Sequence, residues 1–312
     1  MPQHLAISGL CLGGLLLLHP YLQSQNSRTY DLKVAVDEVE ITFHAGDIHG
    51  LPVSDLRQDE VRLLDNERPP RRIVLFELLR DLPIRAGIML DTSASMDQHH
   101  QANQAIASAY IQHFLNPRTD SAFVMSFGQR FQVREPWSNH QDALTAAIQK
   151  SGFLPSTTAL FDAIYAACRY QFGKLDHASS GNFILLFTDG EDDASFLSLE
   201  DAANMCQHTN TAIYTFRQDD QHGDPEGLRT IARLASLTGG HVFPADDSPQ
   251  EMEEDLKIIQ ANLRNQYRLV YNPADLKRDG AFHRIVLLPP DRVATVQTRS
   301  GYYAPKDKPV TR

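Results

Sequence analysis

In the stretch RAGIMLDTSASMDQ, an apolar run from Ala86 to Leu90 ends in Asp91, and Ser93 and Ser95 follow on alternate positions. A strand of this kind delivers its last carboxylate to the carboxyl edge of a sheet, where open α/β folds place their ligands. Two further segments end the same way. PSTTALFDAI offers Thr157 and Thr158 just before a helix, and LLFTDGEDDAS offers Asp189 at a strand end, followed by Gly190. The core set Asp91, Ser93, Ser95, Thr158 and Asp189 contains carboxylates and hydroxyls, with no thiolate or imidazole. All-oxygen ligation suits a hard divalent cation, Mg²⁺ first and Mn²⁺ or Ca²⁺ next. Some acting through water, these side chains fill about five of six octahedral positions. The open position then takes an oxygen from outside, most naturally the Glu or Asp of a protein partner. Neutral hydroxyl ligands leave the ion electrophilic enough to hold that carboxylate.

Neighbouring residues carry weaker readings. Thr157 is an alternative ligand to Thr158. His99 and His100, one turn beyond Ser95, either touch a partner or stand solvated. Asp192, Asp193, Asp219, Asp220 and Asp224 follow strand ends and crowd the same rim, as an acidic solvated face or around a second cation. Asp192 is the one of these taken as an additional metal or partner contact. Trp137, the only tryptophan, ends a strand and is assigned to packing. A metal-dependent hydrolase is the competing chemistry. It lacks support, because aspartate-nucleophile phosphatases need a second acid where Ser93 stands, and no GxSxG elbow or GxxxxGK[ST] loop occurs. A metal-independent structural component of an envelope assembly is a third reading.

These loops need a scaffold. From Arg85 the pattern alternates strand and helix: helices over about Gln101–Leu115, His140–Lys150, Ala159–Tyr170, Leu199–His208, Pro225–Leu237 and Pro249–Asn265 separate apolar strands such as NFILLFTDG. This predicts an α/β class, a doubly wound and mostly parallel sheet of Rossmann-like kind over 84–264. On either side the helical period disappears. Residues 30–82 read as a β module and 266–306 as a C-terminal β segment expected to pair with it, the α/β domain being inserted between them.

With 312 residues the chain is long enough for one large domain or two modest ones. Net charge of −10 argues against a general nucleic-acid binder, which needs a Lys/Arg surplus. The apolar run Leu5–Leu18 is too short to span a bilayer comfortably and is broken by His19-Pro20, so residues 1–24 read as a secretory signal peptide, with an uncleaved anchor as the alternative. After cleavage no stable membrane span is expected, and the chain belongs outside the cell or in the periplasm or envelope. Cys168 and Cys206 fall on apolar stripes of two helices; buried thiols packing as small hydrophobes is the favoured reading, and a disulfide the alternative.

The three oxygen-bearing segments, in this order, resemble the von Willebrand factor type A domain family. Its metal-ion-dependent adhesion site has the pattern Asp-x-Ser-x-Ser, then Thr, then Asp in a Thr-Asp-Gly context. Here these are Asp91, Ser93 and Ser95, Thr158 in STTALFDAI, and Asp189 in FTDG. IARLASLTGGHVF is similar to the family's closing helix and final strand, and the flanks ending in RSGYYAP are similar to those of exported bacterial members. The family often has Gly before its Thr, where Thr157 stands here; Thr158 gives the better alignment of TALFDAI. The resemblance implies a non-enzymatic, adhesion-type binding module in which partner binding is coupled to movement of the last α/β helix.

Overall fold

The computed structural model describes residues 38–152, 156–175, 180–216, 225–243 and 249–306. The expected signal segment and Asp219, Asp220 and Asp224 lie outside these residues. The centre is a six-stranded sheet built from β4 (Ile84–Asp91), β5 (Ser121–Phe127), β6 (Phe131–Ser138), β7 (Gly181–Phe187), β8 (Thr211–Phe216) and β9 (Val242–Phe243), in the order β6-β5-β4-β7-β8-β9. All neighbours are parallel except the β5–β6 hairpin at one edge. Strand β7 is buried along its whole length and β4 along all but Arg85, which explains why they read as continuous apolar runs.

Helices cover both faces. Ile88 and Leu90 of β4, with Phe183, Leu185 and Phe187 of β7, pack under α1 (His100–His113), α2 (Gln141–Gln149) and α6 (Pro249–Arg264). The alternate residues Met89, Ile184 and Leu186 face α3 (Leu160–Ala166), α4 (Leu199–His208) and α5 (Pro225–Thr238). Trp137 joins this second core edge-on to Phe123 and Phe172. Gly87 makes room there, since a Cβ would stand 2.6 Å from the Phe123 ring.

The cysteine reading needs correction. Cys168, in the π-helical turn Ala167–Gln171 that extends α3, is disulfide-bonded to Cys206 of α4, with Cα atoms 5.1 Å apart. Each apolar stripe is visible in sequence, but not that the two stripes press on one another. Because α3 and α4 are neighbours on the same sheet face, the thiols meet.

The remaining strands form two antiparallel sheets. β1 (Val39–Gly46), β10 (Gln266–Asn272), β12 (Thr295–Thr298) and β3 (Arg72–Leu79) run in the order β12-β1-β10-β3, and β13 (Gly301–Tyr303), β11 (Phe282–Leu288) and β2 (Arg62–Asp65) form the other. Strands from before and after the α/β domain thus hydrogen-bond directly, Val39 opposite Tyr271 and Ile285 opposite Asp65. Ile41, Phe43, Leu63, Tyr267, Leu269 and Ile285 fill the core between them. Inside it Asp65 accepts hydrogen bonds from the hydroxyls of Tyr271 and Tyr302, each 2.8 Å, and lies 2.7 Å from His283 Nδ1. The entry to and exit from the α/β domain are clasped together. Arg264 at the end of α6 pairs with buried Asp120 at 2.6 Å, and Asp120 accepts the N–H of Ile84. Among the described residues no helix is long and apolar enough to cross a membrane.

Candidate metal centre

Asp91 is the last residue of β4 and only 2% exposed. One carboxylate oxygen accepts the Ser93 N–H at 2.9 Å, which turns the loop back on itself. The other accepts the Thr188 hydroxyl at 2.7 Å, which ties β4 to the end of β7 one residue before Asp189. The turn brings the Oγ atoms of buried Ser93 and exposed Ser95 to 3.3 Å. Met96, fully buried in the 3₁₀ turn Ala94–Met96, anchors this loop from below.

The second loop docks on the first through the Ala94 N–H, which donates to the Ser156 carbonyl at 3.3 Å. Thr158 is 2% exposed and Thr157 exposed, so the structure turns Thr158 inward at this loop and Thr157 outward. The third loop closes the ring: the N–H groups of Asp193 and Ala194 donate to the Thr158 carbonyl at 2.9 and 3.0 Å. Asp189, half-buried, accepts the Glu191 N–H at 3.1 Å. Gly190 has φ +87° and lies so close to α5 that a Cβ would overlap the Gly227 carbonyl, so no other residue fits this turn. The three oxygen-bearing loops therefore share one rim of the sheet.

The electrostatics match a cation site. Burial pushes the Asp91 carboxyl up to about 6; hydrogen bonds from Ser93 and Thr188 oppose this, and the charge of Asp189 adds to it. Among the described residues neither aspartate has an ion pair with Lys, Arg or His. Nor, among the described residues, is any group of three or more His, Cys, Asp or Glu side chains placed to hold a metal.

Asp192 has a structural role in the third loop. Its Oδ1 accepts the N–H groups of Leu160 and Phe161 at 2.7 and 3.2 Å and the Ser195 hydroxyl at 2.6 Å, capping the N-terminus of α3 from a distant loop. His99 stands half-buried just before α1, and His100 opens that helix. Thr188 adds a contact that lies outside the candidate ligand set. Its position in the Thr-Asp-Gly triplet was the available signal, and its burial at the strand end makes it the clamp on Asp91.

The family model for the von Willebrand factor type A domain matches residues 87–257, more than half of the chain. No curated protein matches. Among solved structures, the conserved hypothetical protein BatB from Bacteroides thetaiotaomicron is similar at 16% identity, over 56% of this chain and 97% of its own, with a TM-score of 0.45. Proximal thread matrix protein 1 from the mussel byssus, solved with a zinc-occupied MIDAS motif, is similar at 15% identity over 64% of this chain and 50% of its own, TM-score 0.48. A von Willebrand factor type A protein from Catenulispora acidiphila is similar at 14% identity over 81% and 76%, TM-score 0.44.

Proposed function

The chain belongs to the von Willebrand factor type A domain family, whose members are generally non-enzymatic modules that bind protein partners and typically carry a divalent-cation site, and we propose that it is an exported module of this kind. Asp91, Ser93, Ser95, Thr158 and Asp189 are the residues that would hold the ion, Mg²⁺ before Mn²⁺ or Ca²⁺. When bound, the cation would supply a positive centre with room for one further oxygen, a Glu or Asp carboxylate of the partner.

One observation carries the reading: Asp91 is buried against Ser93 and Thr188 with the charge of Asp189 close by, at a rim where the loops hold one another by backbone hydrogen bonds. That is an excess of negative charge with oxygens arranged around it, which a hard cation relieves. The protein groups position and do no bond-making. The carboxyl of Asp91 is already engaged by Ser93 and Thr188, so it is held as a ligand rather than freed as a nucleophile. The disulfide supports export, since such bridges persist in oxidising compartments. In this reading 84–264 is the binding domain, and 30–82 with 266–306 form the β-sandwich that carries it. Anchoring of α6 by Arg264 and its direct run into β10 mean that any displacement of this helix on binding is felt in the sandwich.

Calorimetric titration of Mg²⁺ into the protein tests the site: binding in the wild type and none in Ser93→Ala or Asp189→Ala is expected. A pull-down from the source organism's envelope with and without chelator tests the partner step. Equal recovery in both arms would remove the metal from the mechanism.

A further inference from the structure

We propose that the partner of the metal centre is an acidic segment that also carries a bulky apolar side chain, received by Phe196 and Phe131. This rests on the carboxylate-capturing reading above and deepens it. The second loop lies between two neighbours, each of which displays an aromatic ring. On one side the Ala159 N–H donates to Gly128 of the β5–β6 hairpin, and Phe131 is three residues on and 43% exposed. On the other side Thr158 holds Asp193 and Ala194, and Phe196 is two residues further and 98% exposed. Two residues span at most about 7 Å, so the Phe196 backbone cannot be far from the rim that carries Thr158.

Phe196 is not a loose loop tip. The Asp162 carboxylate accepts the N–H groups of Phe196 at 3.1 Å and Leu197 at 3.0 Å, and Ser195, the residue before, bonds both Asp192 and the Asp162 N–H. The backbone is thus pinned on both sides of a ring that touches almost nothing. Leaving a phenyl ring in water forgoes a sizeable transfer free energy, and a braced loop has little entropy left to lose on binding. Aromatic side chains, Phe among them, are enriched in the cores of protein interfaces relative to the rest of the surface. Exposed apolar rings on both sides of a site that takes a carboxylate therefore select an acid with an apolar neighbour.

Short displayed peptides with a fixed central glutamate and random flanks, panned against the Mg²⁺-loaded full chain, test this. Enrichment of Phe, Leu, Ile or Trp beside the glutamate is expected, with Phe196→Ser weakening the selected peptide about tenfold or more and Phe131→Ser weakening it too. Mg²⁺ affinity should be unchanged in both variants. Chelator-sensitive binding without apolar enrichment, or with equal affinity for Phe196→Ser, would overturn the inference and leave the metal reading standing. Peptide binding that survives chelator would sink both. Self-association of the wild type that Phe196→Ser abolishes, seen by sedimentation velocity, would assign the ring to a second copy and overturn the inference.

Discussion

Removal of the Cys168–Cys206 bridge is the perturbation whose size follows most directly from the structure. The bridge joins positions 38 residues apart, and closing a loop of that length removes about 4 kcal/mol of chain entropy from the unfolded state at 25 °C. At an unfolding entropy of about 2.1 cal/mol/K per residue, a 312-residue chain loses about 6 °C in Tm for that 4 kcal/mol. Both sulfurs are fully buried, so Cys→Ala variants add a packing loss of about 1 kcal/mol at each position. Thermal and urea unfolding should be followed for the wild type, Cys168→Ala, Cys206→Ala and the double variant, with and without reductant. Each single variant breaks the same bond, so the double should lose little more than either single, a strongly non-additive result. Reductant should destabilise the wild type and leave all three variants unchanged. Two single losses that simply add, or a wild type indifferent to reductant under unfolding conditions, would show that the thiols are separate and refute the pairing.

The metal centre should register in stability as well. Mg²⁺ at a hundred times its Kd is expected to stabilise the wild type by about 2.7 kcal/mol, roughly 4 °C in Tm, and Asp189→Asn not at all; differential scanning fluorimetry reads both. Asp192→Ala removes the acceptor for two backbone N–H groups of α3 and should cost about 1–2 kcal/mol in a denaturant titration, with Mg²⁺ binding weakened only through the shifted Thr158 loop. Burial pushes the His44 imidazole from 6.5 down to about 4, so the unfolded chain takes up this proton first. Stability from this group is complete above pH 6.5 and is lost on going down to pH 4, about 3 kcal/mol in all. In the metal-free protein the raised carboxyl of Asp91 acts with the opposite sign below about pH 6. The measurement is therefore the difference between wild type and His44→Phe across that window, and a difference constant with pH would show that His44 is not held neutral.

The α/β core was readable because its signals are local. Strand β7 carries seven successive buried residues, and α5 opens with Pro225 and ends before Gly239, so burial, period and caps all lie within one short window. The candidate ligands were readable for a related reason: hydroxyl and carboxylate residues stand at the ends of such strands in one chain order. Asp192 has a role that no local pattern shows: its Oδ1 caps the N-terminus of α3, more than thirty residues earlier.

By itself, then, the sequence determined the type and order of the α/β elements and which side chains sit at the strand ends, because periodicity and burial are written over a few residues. Only the tertiary structure decided which elements touch. It set β1 against β10, closed Cys168 on Cys206, clamped Asp91 with Thr188 and gathered three loops onto one rim. Those contacts join residues tens to hundreds apart, and their partners are selected by the packing of whole faces rather than by any local pattern.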